Sequence, residues 1–79
     1  MKARVIVTLK RSVLDPQGKA IEGALKALAV EGVKSVRQGK IFDVEFDGDD
    51  EAAARLKLSE ACERLLANTI VENYAIEIG

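Results

Sequence analysis

The residue types that carry most enzymatic chemistry are scarce in this chain. It contains no histidine and a single cysteine, Cys62. A nucleophile such as Ser12, Ser59 or Cys62 would therefore need a lysine or a carboxylate to activate it, and none is spaced to do so. Cys62 lies on the apolar stripe of a predicted helix, which indicates a buried structural residue. The sequence predicts no catalytic, cofactor-binding or metal-binding residue.

Two short motifs could in principle bind ions or phosphate, but each has a simpler interpretation. The acidic run at residues 47–51 directly precedes a helical pattern, where carboxylates interact favourably with the helix dipole. It is too short for an EF-hand loop. The tripeptide Gln38-Gly39-Lys40 is too short to be a phosphate-binding loop and, taken alone, indicates a turn.

Length and charge narrow the class of protein. The chain has 79 residues, with 12 Lys and Arg against 13 Asp and Glu, so it is one domain, residues 1–79, with nearly balanced charge. This balance and the absence of a long apolar segment argue against nucleic-acid and membrane partners, and we expect a cytoplasmic protein. A domain this small buries a limited core and has no disulfide or zinc site to stabilise it, so we expect it to associate with other chains.

The elements that must position any site follow from hydrophobic periodicity. Alternation over residues 3–9 predicts a strand, and helical spacing predicts a helix from about Pro16 to Val30, ending near Gly32. Residues 33–46 read as two strands meeting in a tight turn at Gly39, or as one long strand with a glycine bulge; we favour two strands. A second helix follows, with Ala54, Leu58, Ala61, Cys62 and Leu65 on its apolar stripe.

A final strand over residues 70–78 completes the order β-α-β-β-α-β. This order predicts an α+β two-layer sandwich, an antiparallel sheet with both helices on one face, related to the ferredoxin-like arrangement. The other sheet face mixes apolar and charged side chains, which is typical of a protein interface. Candidates for self-association on that face are Ile6, Ile41 and Ala75.

The junction between the first strand and the first helix is the most distinctive local feature. Asp15 can cap the helix, and Pro16 occupies the first helical position, where its missing N–H costs nothing. Capping does not explain Gly18, because glycine costs about 1 kcal/mol of helix propensity. We expect another group to approach the backbone closely at Gly18.

Three stretches together resemble one known family, the small PurS subunit of phosphoribosylformylglycinamidine synthase. The resemblance covers nearly the whole chain. Asn73 and the order Ile70-Val71 depart mildly from the usual pattern of the family. The stretches occur in the family's order: Val13-Leu14-Asp15-Pro16-Gln17-Gly18, Val36-Arg37-Gln38-Gly39-Lys40 and Leu65-Leu66-Ala67-Asn68-Thr69-Ile70-Val71-Glu72.

The resemblance implies a non-catalytic role in purine biosynthesis. The synthase converts formylglycinamide ribonucleotide, glutamine and ATP to formylglycinamidine ribonucleotide, glutamate, ADP and phosphate. In that family the large subunit PurL holds ATP, magnesium and substrate, PurQ hydrolyses glutamine, and PurS dimers bridge the two so that ammonia does not escape. The resemblance thus implies PurL, PurQ and further copies of this chain, as a dimer or tetramer, as partners.

Candidates for partner contact come from the marked stretches: Asp15, Gln17, Gly18, Arg37, Gly39, Lys40 and Asn68. We expect Arg37 and Lys40 to bring positive charge to the large subunit. An alternative function is a small dimeric regulatory domain of ferredoxin-like type, in which the glycine-containing start of the first helix would hold an amino acid or nucleotide at the dimer interface. Gly18 and Gly39 are compatible with this alternative.

Overall fold

The structure is a computed structural model that describes residues 1–79. Its three strands form one antiparallel sheet in the order β2-β1-β3. The elements are β1 (Lys2–Leu9), α1 (Pro16–Ala27), β2 (Gly39–Glu45), α2 (Glu51–Ala61) with a π-helical turn (Cys62–Leu66), and β3 (Glu72–Ile78). The predicted α+β class, with an antiparallel sheet and two helices, is confirmed. No helix combines the length and the apolar character needed to cross a membrane.

The core lies between one face of the sheet and α2. Alternate residues of the central strand β1 point inward, and Ala3, Val5 and Val7 are buried. Leu58 and Cys62 of the second helical segment are buried against them. Half-buried side chains of the flanking strands surround this centre, as the alternation in the sequence predicts: Phe42, Val44, Phe46, Tyr74, Ile76 and Ile78.

The end of the second helix departs from the predicted stripe. Residues 62–66 form a π-helical turn, in which the Ala67 N–H donates to the Cys62 carbonyl at 3.0 Å. Because a π turn contains more residues than an α turn, the position one turn beyond Cys62 falls on Leu66. Leu66 packs against the core, whereas Leu65, predicted to face inward, is 81% exposed.

Helix α1 begins as predicted but ends earlier than the sequence indicates. Asp15 is its N-cap and Pro16 its first residue. Ala29 takes a left-handed conformation (φ 59°), and the N–H groups of Ala29 and Val30 donate to the carbonyls of Lys26 and Leu25. This pair of bonds is a Schellman motif, so the helix stops before Gly32, where the sequence predicts its end.

The apolar side of α1 is left uncovered within the chain. Ile21 is 38% exposed and Leu28 is 73% exposed, while Ala20 and Ala24 are also exposed. Only α2 packs closely on the sheet, so the expected layer of two helices on one face is half complete. A helix that buries so little of its apolar face gains most of its stability from contacts that a single chain does not provide.

The predicted hairpin at Gly39 is wrong. The chain passes through residues 33–38 without a turn or a bend and enters β2 at Gly39, so the sheet has three strands instead of four. Gly39 does not have a positive φ, which the favoured two-residue hairpin turns require. Glycine is needed at position 39 for a different reason, because the backbone there passes very close to β1.

Candidate functional site

The three sequence stretches that stand out meet at one end of the sheet. We call this region the loop junction, and it comprises residues 10–18, 36–40 and 68–72. The first and third segments are joined by the Lys10 N–H, which donates to the Val71 carbonyl at 2.9 Å. The first and second are joined through Asp15 and Arg37. Residues far apart in sequence therefore form a single hydrogen-bonded surface.

Asp15 is the central acceptor of the loop junction. Its side chain is buried; one carboxylate oxygen accepts from the Gly18 N–H at 2.9 Å, and the other accepts from the Gln38 N–H at 2.7 Å. The Gln38 and Gly18 amides, followed by the positive charge of Arg37, hold the pKa of Asp15 below its ordinary value. Asp15 thus both caps α1 and fixes the start of β2.

Gly18 and Gly39 permit close contacts between backbone segments. A Cβ atom on Gly18 would lie 2.3 Å from the Val36 carbonyl oxygen, and one on Gly39 would lie 2.7 Å from the Val7 carbonyl oxygen. Both distances are far below normal contact. The group that the sequence predicts near Gly18 is therefore the chain's own segment 36–38.

Two further side chains hold this segment in place. The Arg37 guanidinium donates to the carbonyls of Lys10 and Val13, both at 2.9 Å. The carboxylate of Glu22, in the second turn of α1, accepts from the Val36 N–H at 3.1 Å. Arg37 is exposed, but its hydrogen-bonding groups are directed at the protein, which the sequence does not reveal.

The third segment is organised by Asn68 and Glu72. The Asn68 N–H donates to the Glu72 carboxylate at 2.7 Å, and the Asn68 side-chain oxygen accepts from the Ile70 N–H at 3.2 Å. The other Glu72 oxygen lies 3.8 Å from Lys40 Nζ. Glu72 therefore connects this turn to β2, a role that its position in the sequence does not indicate.

The structure brings most of the predicted partner-contact residues together. Asp15, Gln17, Gly39 and Lys40 line one shallow cleft together with Glu72. Gln17, Lys40 and Asn68 are exposed, whereas Asp15 and Gly18 are buried. Sequence reasoning missed Glu22 and Glu72. Besides accepting from Val36, the Glu22 carboxylate lies 3.6 Å from the Lys19 Nζ.

The open face of the sheet carries a second candidate surface. Ile6 pairs with Ile41 on one side and with Ala75 on the other, so these three residues form an apolar row across the sheet. The adjacent row is charged: Arg4 lies between Asp43 and Glu77, and its Nε is 2.9 Å from the Asp43 carboxylate. Ile41 is 56% exposed. An apolar row bordered by charges suits a protein contact.

The cysteine and the acidic run, which could in principle carry chemistry, have structural roles instead. Cys62 is fully buried, and burial raises the pKa of its thiol. Asp50 caps α2 by accepting from the Ala53 N–H at 3.1 Å, so the acidic run lies at a helix N-terminus as the sequence predicts. No group of three or more Cys, Asp or Glu side chains is arranged to hold a metal ion. The loop junction offers a rigid, hydrogen-bonded surface for contact with other molecules.

Comparison with known proteins identifies the family. The family model of PurS, phosphoribosylformylglycinamidine (FGAM) synthase, matches residues 2–79. The PurS subunit of this synthase from Synechocystis sp. is 47% identical over 75 residues, which cover 95% of this chain and 75% of the relative.

Solved structures agree with the sequence relatives. PurS from Methanocaldococcus jannaschii superposes with a TM-score of 0.87 at 37% identity, covering 96% of this chain and 92% of the other. A chain of PurLQS from Thermotoga maritima gives a TM-score of 0.88 at 33% identity, covering 96% and 93%. The chain therefore belongs to the PurS family, the PurS subunits of phosphoribosylformylglycinamidine synthase.

Proposed function

We propose that this chain assembles with PurL and PurQ subunits, bridges them, and supports the transfer of ammonia from glutamine to formylglycinamide ribonucleotide. The observation that carries the proposal is the similarity of nearly the whole chain to a chain of the Thermotoga maritima PurLQS structure. In this proposal the chain acts in the cytoplasm and forms homo-oligomers. ATP and magnesium are bound by the large subunit, and this chain holds no cofactor.

The surfaces of the chain support a role in assembly. The apolar face of α1 and the row Ile6, Ile41 and Ala75 are uncovered in a single chain. Contact with a second copy through the open face would bury this row and pair its bordering charges. Three side chains of the loop junction are exposed and could contact PurL or PurQ: Gln17, Lys40 and Asn68. In this division of roles, Asp15, Gly18, Arg37 and Gly39 shape the surface that those side chains occupy.

The small regulatory domain is not favoured as an alternative. It places an amino acid or nucleotide at the glycine-containing start of α1, but the space beside Gly18, and that beside Gly39, is filled by a backbone carbonyl of the chain itself. A regulatory domain would also be stabilised thermally by its ligand in the absence of partners.

Reconstitution tests the proposed function. PurL and PurQ from the same source are assayed for formylglycinamidine ribonucleotide formation with glutamine or with ammonium as nitrogen donor. Omitting this chain is expected to abolish the glutamine-dependent rate and to leave the ammonium-dependent rate of PurL largely intact. Equal glutamine-dependent rates with and without the chain would contradict the proposal.

The open-face contact has its own test. Replacing Ile6→Asp places a charge in the middle of the apolar row and is expected to lower the oligomeric state seen by sedimentation. Thr8→Asp, on the same strand face but outside the row, is the matched control and is expected to change it less. An unchanged mass for Ile6→Asp at low protein concentration would remove the open face from the assembly.

A further inference from the structure

The strand β3 is at one edge of the sheet, and half of its backbone groups point outward. The Lys10 N–H donates to the Val71 carbonyl at 2.9 Å, and the Gly79 N–H donates to the Lys2 carbonyl at 3.1 Å. Because backbone groups alternate in direction along an antiparallel strand, the odd-numbered residues of β3 bond to β1. We call the outward row of even-numbered residues the β3 edge, and it consists of Glu72, Tyr74, Ile76 and Ile78.

The chain itself occupies two backbone groups of the β3 edge. The Glu72 N–H donates to the Asn68 carbonyl at 2.7 Å, at the start of the strand. The Ile76 carbonyl accepts from the Arg55 guanidinium at 3.2 Å, within the row. Arg55 belongs to α2 and is exposed, so its side chain reaches from the helix over the edge of the sheet. A charged group therefore interrupts the edge where an approaching strand would have to bond.

The position of Arg55 follows from the way α2 is anchored. Asp50 caps the helix by accepting from the Ala53 N–H. Ala54 and Leu58, one turn apart, are both buried, which fixes the rotation of the helix about its axis. Arg55 follows Ala54 on the side of α2 from which the Ile76 carbonyl is within reach. Packing of the core thus directs the guanidinium to the β3 edge.

The other edge of the sheet has no contact of this kind. It is formed by β2, and the bonds that side chains make to the backbone on that side stop at Gln38, just before the strand. If both edges were open, the edge of β2 in one copy could pair with the β3 edge of the next. Each added copy would present the same two edges again, and such a head-to-tail contact produces an open filament when it does not close into a ring.

The side chains of β3 make this risk specific. Tyr74, Ile76 and Ile78 are aromatic or β-branched, which are the types that favour strand pairing. Proteins protect such an edge by shortening it, covering it or placing charged side chains on it. In this chain the one charged side chain of α2 that bonds to the backbone of β3 is Arg55.

We propose that Arg55 closes the β3 edge to strand pairing, and so prevents copies of the chain from adding head to tail into an open polymer. An approaching strand needs the Ile76 carbonyl as an acceptor and obtains it only by displacing the guanidinium. A strand lying over the edge would also remove water from that charge, which costs free energy. This role goes beyond the proposed function, since it limits assembly and uses none of the surfaces assigned to contact with PurL, PurQ or further copies.

Substitution of Arg55 tests the closure directly. Arg55→Met removes the charge and the donor but keeps a long side chain with good helix propensity. Sedimentation and light scattering of this variant are expected to show a mass that rises continuously with protein concentration and scattering several-fold above that of the unmodified chain. Arg55→Lys keeps a charged donor and is expected to remain close to the unmodified chain. Unchanged mass and scattering for Arg55→Met would overturn the proposal.

Two matched controls separate the edge from other causes. Arg64→Met makes the same change of charge, but the Arg64 guanidinium bonds to the Glu60 carboxylate at 3.0 Å and to no backbone group. Cys62→Ala weakens the buried core and leaves Arg55 in place. Both variants are expected to keep the mass of the unmodified chain. Polymer from Arg64→Met would assign the effect to net charge, polymer from Cys62→Ala would assign it to lost stability, and either result would overturn the role of Arg55.

Hydrogen exchange locates the contact. In the unmodified chain the amides of Tyr74, Ile76 and Ile78 point outward without a partner, so they are expected to exchange fast. In the Arg55→Met polymer the same three amides are expected to become protected. Protection in the unmodified chain would show that the edge is already covered, and a polymer without this protection would place the contact elsewhere; both would overturn the proposal. The glutamine-dependent rate of the reconstituted complex is measured separately, so this inference and the proposed function can fail independently.

Discussion

Arg37 offers a sharp test of how the loop junction is held together. As an exposed arginine it would ordinarily contribute little to stability, within about 0.5 kcal/mol. In the structure its guanidinium donates two hydrogen bonds, each 2.9 Å long, to the carbonyls of Lys10 and Val13. Each net hydrogen bond of this kind contributes about 1 kcal/mol, reduced by exposure to water. We therefore expect Arg37→Ala to destabilise the chain by about 1–2 kcal/mol.

Lys40 is the matched control, because it is a nearby exposed cation with a weaker partner. Its Nζ lies 3.8 Å from the Glu72 carboxylate, with 55% of the Lys40 side chain exposed. Exposed ion pairs of this type contribute about 0–1 kcal/mol. In the structure one guanidinium nitrogen of Arg37 donates to both carbonyls. Arg37→Lys preserves the charge but has a different length and lacks the planar group that positions this nitrogen, so it should recover only part of the loss.

Thermal unfolding at one fixed protein concentration measures these differences. For a domain of this size, 1 kcal/mol shifts the midpoint by about 4–8 °C, so Arg37→Ala should unfold at least several degrees below Lys40→Ala. Equal midpoints for the two variants would show that the Arg37 bonds do not stabilise the junction. In that case the role of Arg37 would lie in contact with a partner, as the charge in the sequence first indicates.

Three other predictions follow from local geometry. Ala29→Gly should stabilise the chain by about 0.5–1 kcal/mol, because Ala29 adopts a left-handed conformation that glycine takes without strain; denaturant titration would contradict this if the midpoint fell. Cys62→Ala should cost about 1 kcal/mol by leaving a small cavity, and the native thiol should react with Ellman's reagent only as fast as the protein unfolds. The lowered pKa of Asp15 stabilises the fold at pH values above its ordinary value of 3.8, and this contribution is lost as the pH falls through the lower pKa of the folded state. Asp15→Asn should therefore be less stable at neutral pH and lose less stability on acidification, and identical acid profiles would contradict this reasoning.

Much of the fold is predictable because burial and alternation act locally. The inward sides of β1, β2 and β3 follow from period-two patterns, and Asp15 and Asp50 act as caps because their carboxylates reach the N–H group three residues on. The end of α2 is less predictable, because the π-helical turn changes the residues per turn after Cys62. The position of Leu66 in the core and the exposure of Leu65 depend on that change.

The location of the candidate site is predictable from the sequence, but the contacts that hold it together are not. The sequence singles out the three segments of the loop junction, and the structure brings them together. The sequence does not indicate that Arg37 binds backbone carbonyls, that Glu22 binds Val36, or that Gly39 contacts β1. These contacts depend on which segments meet in space, and periodicity carries no information about that.

The error in predicting a hairpin at Gly39 has a physical origin. A glycine between two strand-like runs is ambiguous, because it allows both a tight turn and a close pass by another strand. At Gly39 the chain takes the second option, and bonds from Asp15, Glu22 and Arg37 keep residues 36–38 aligned with β2. The strand that a hairpin would have added is therefore missing, and β2 stays at the edge of a three-stranded sheet. The residues of the loop junction, and not a turn at Gly39, determine how the chain enters β2.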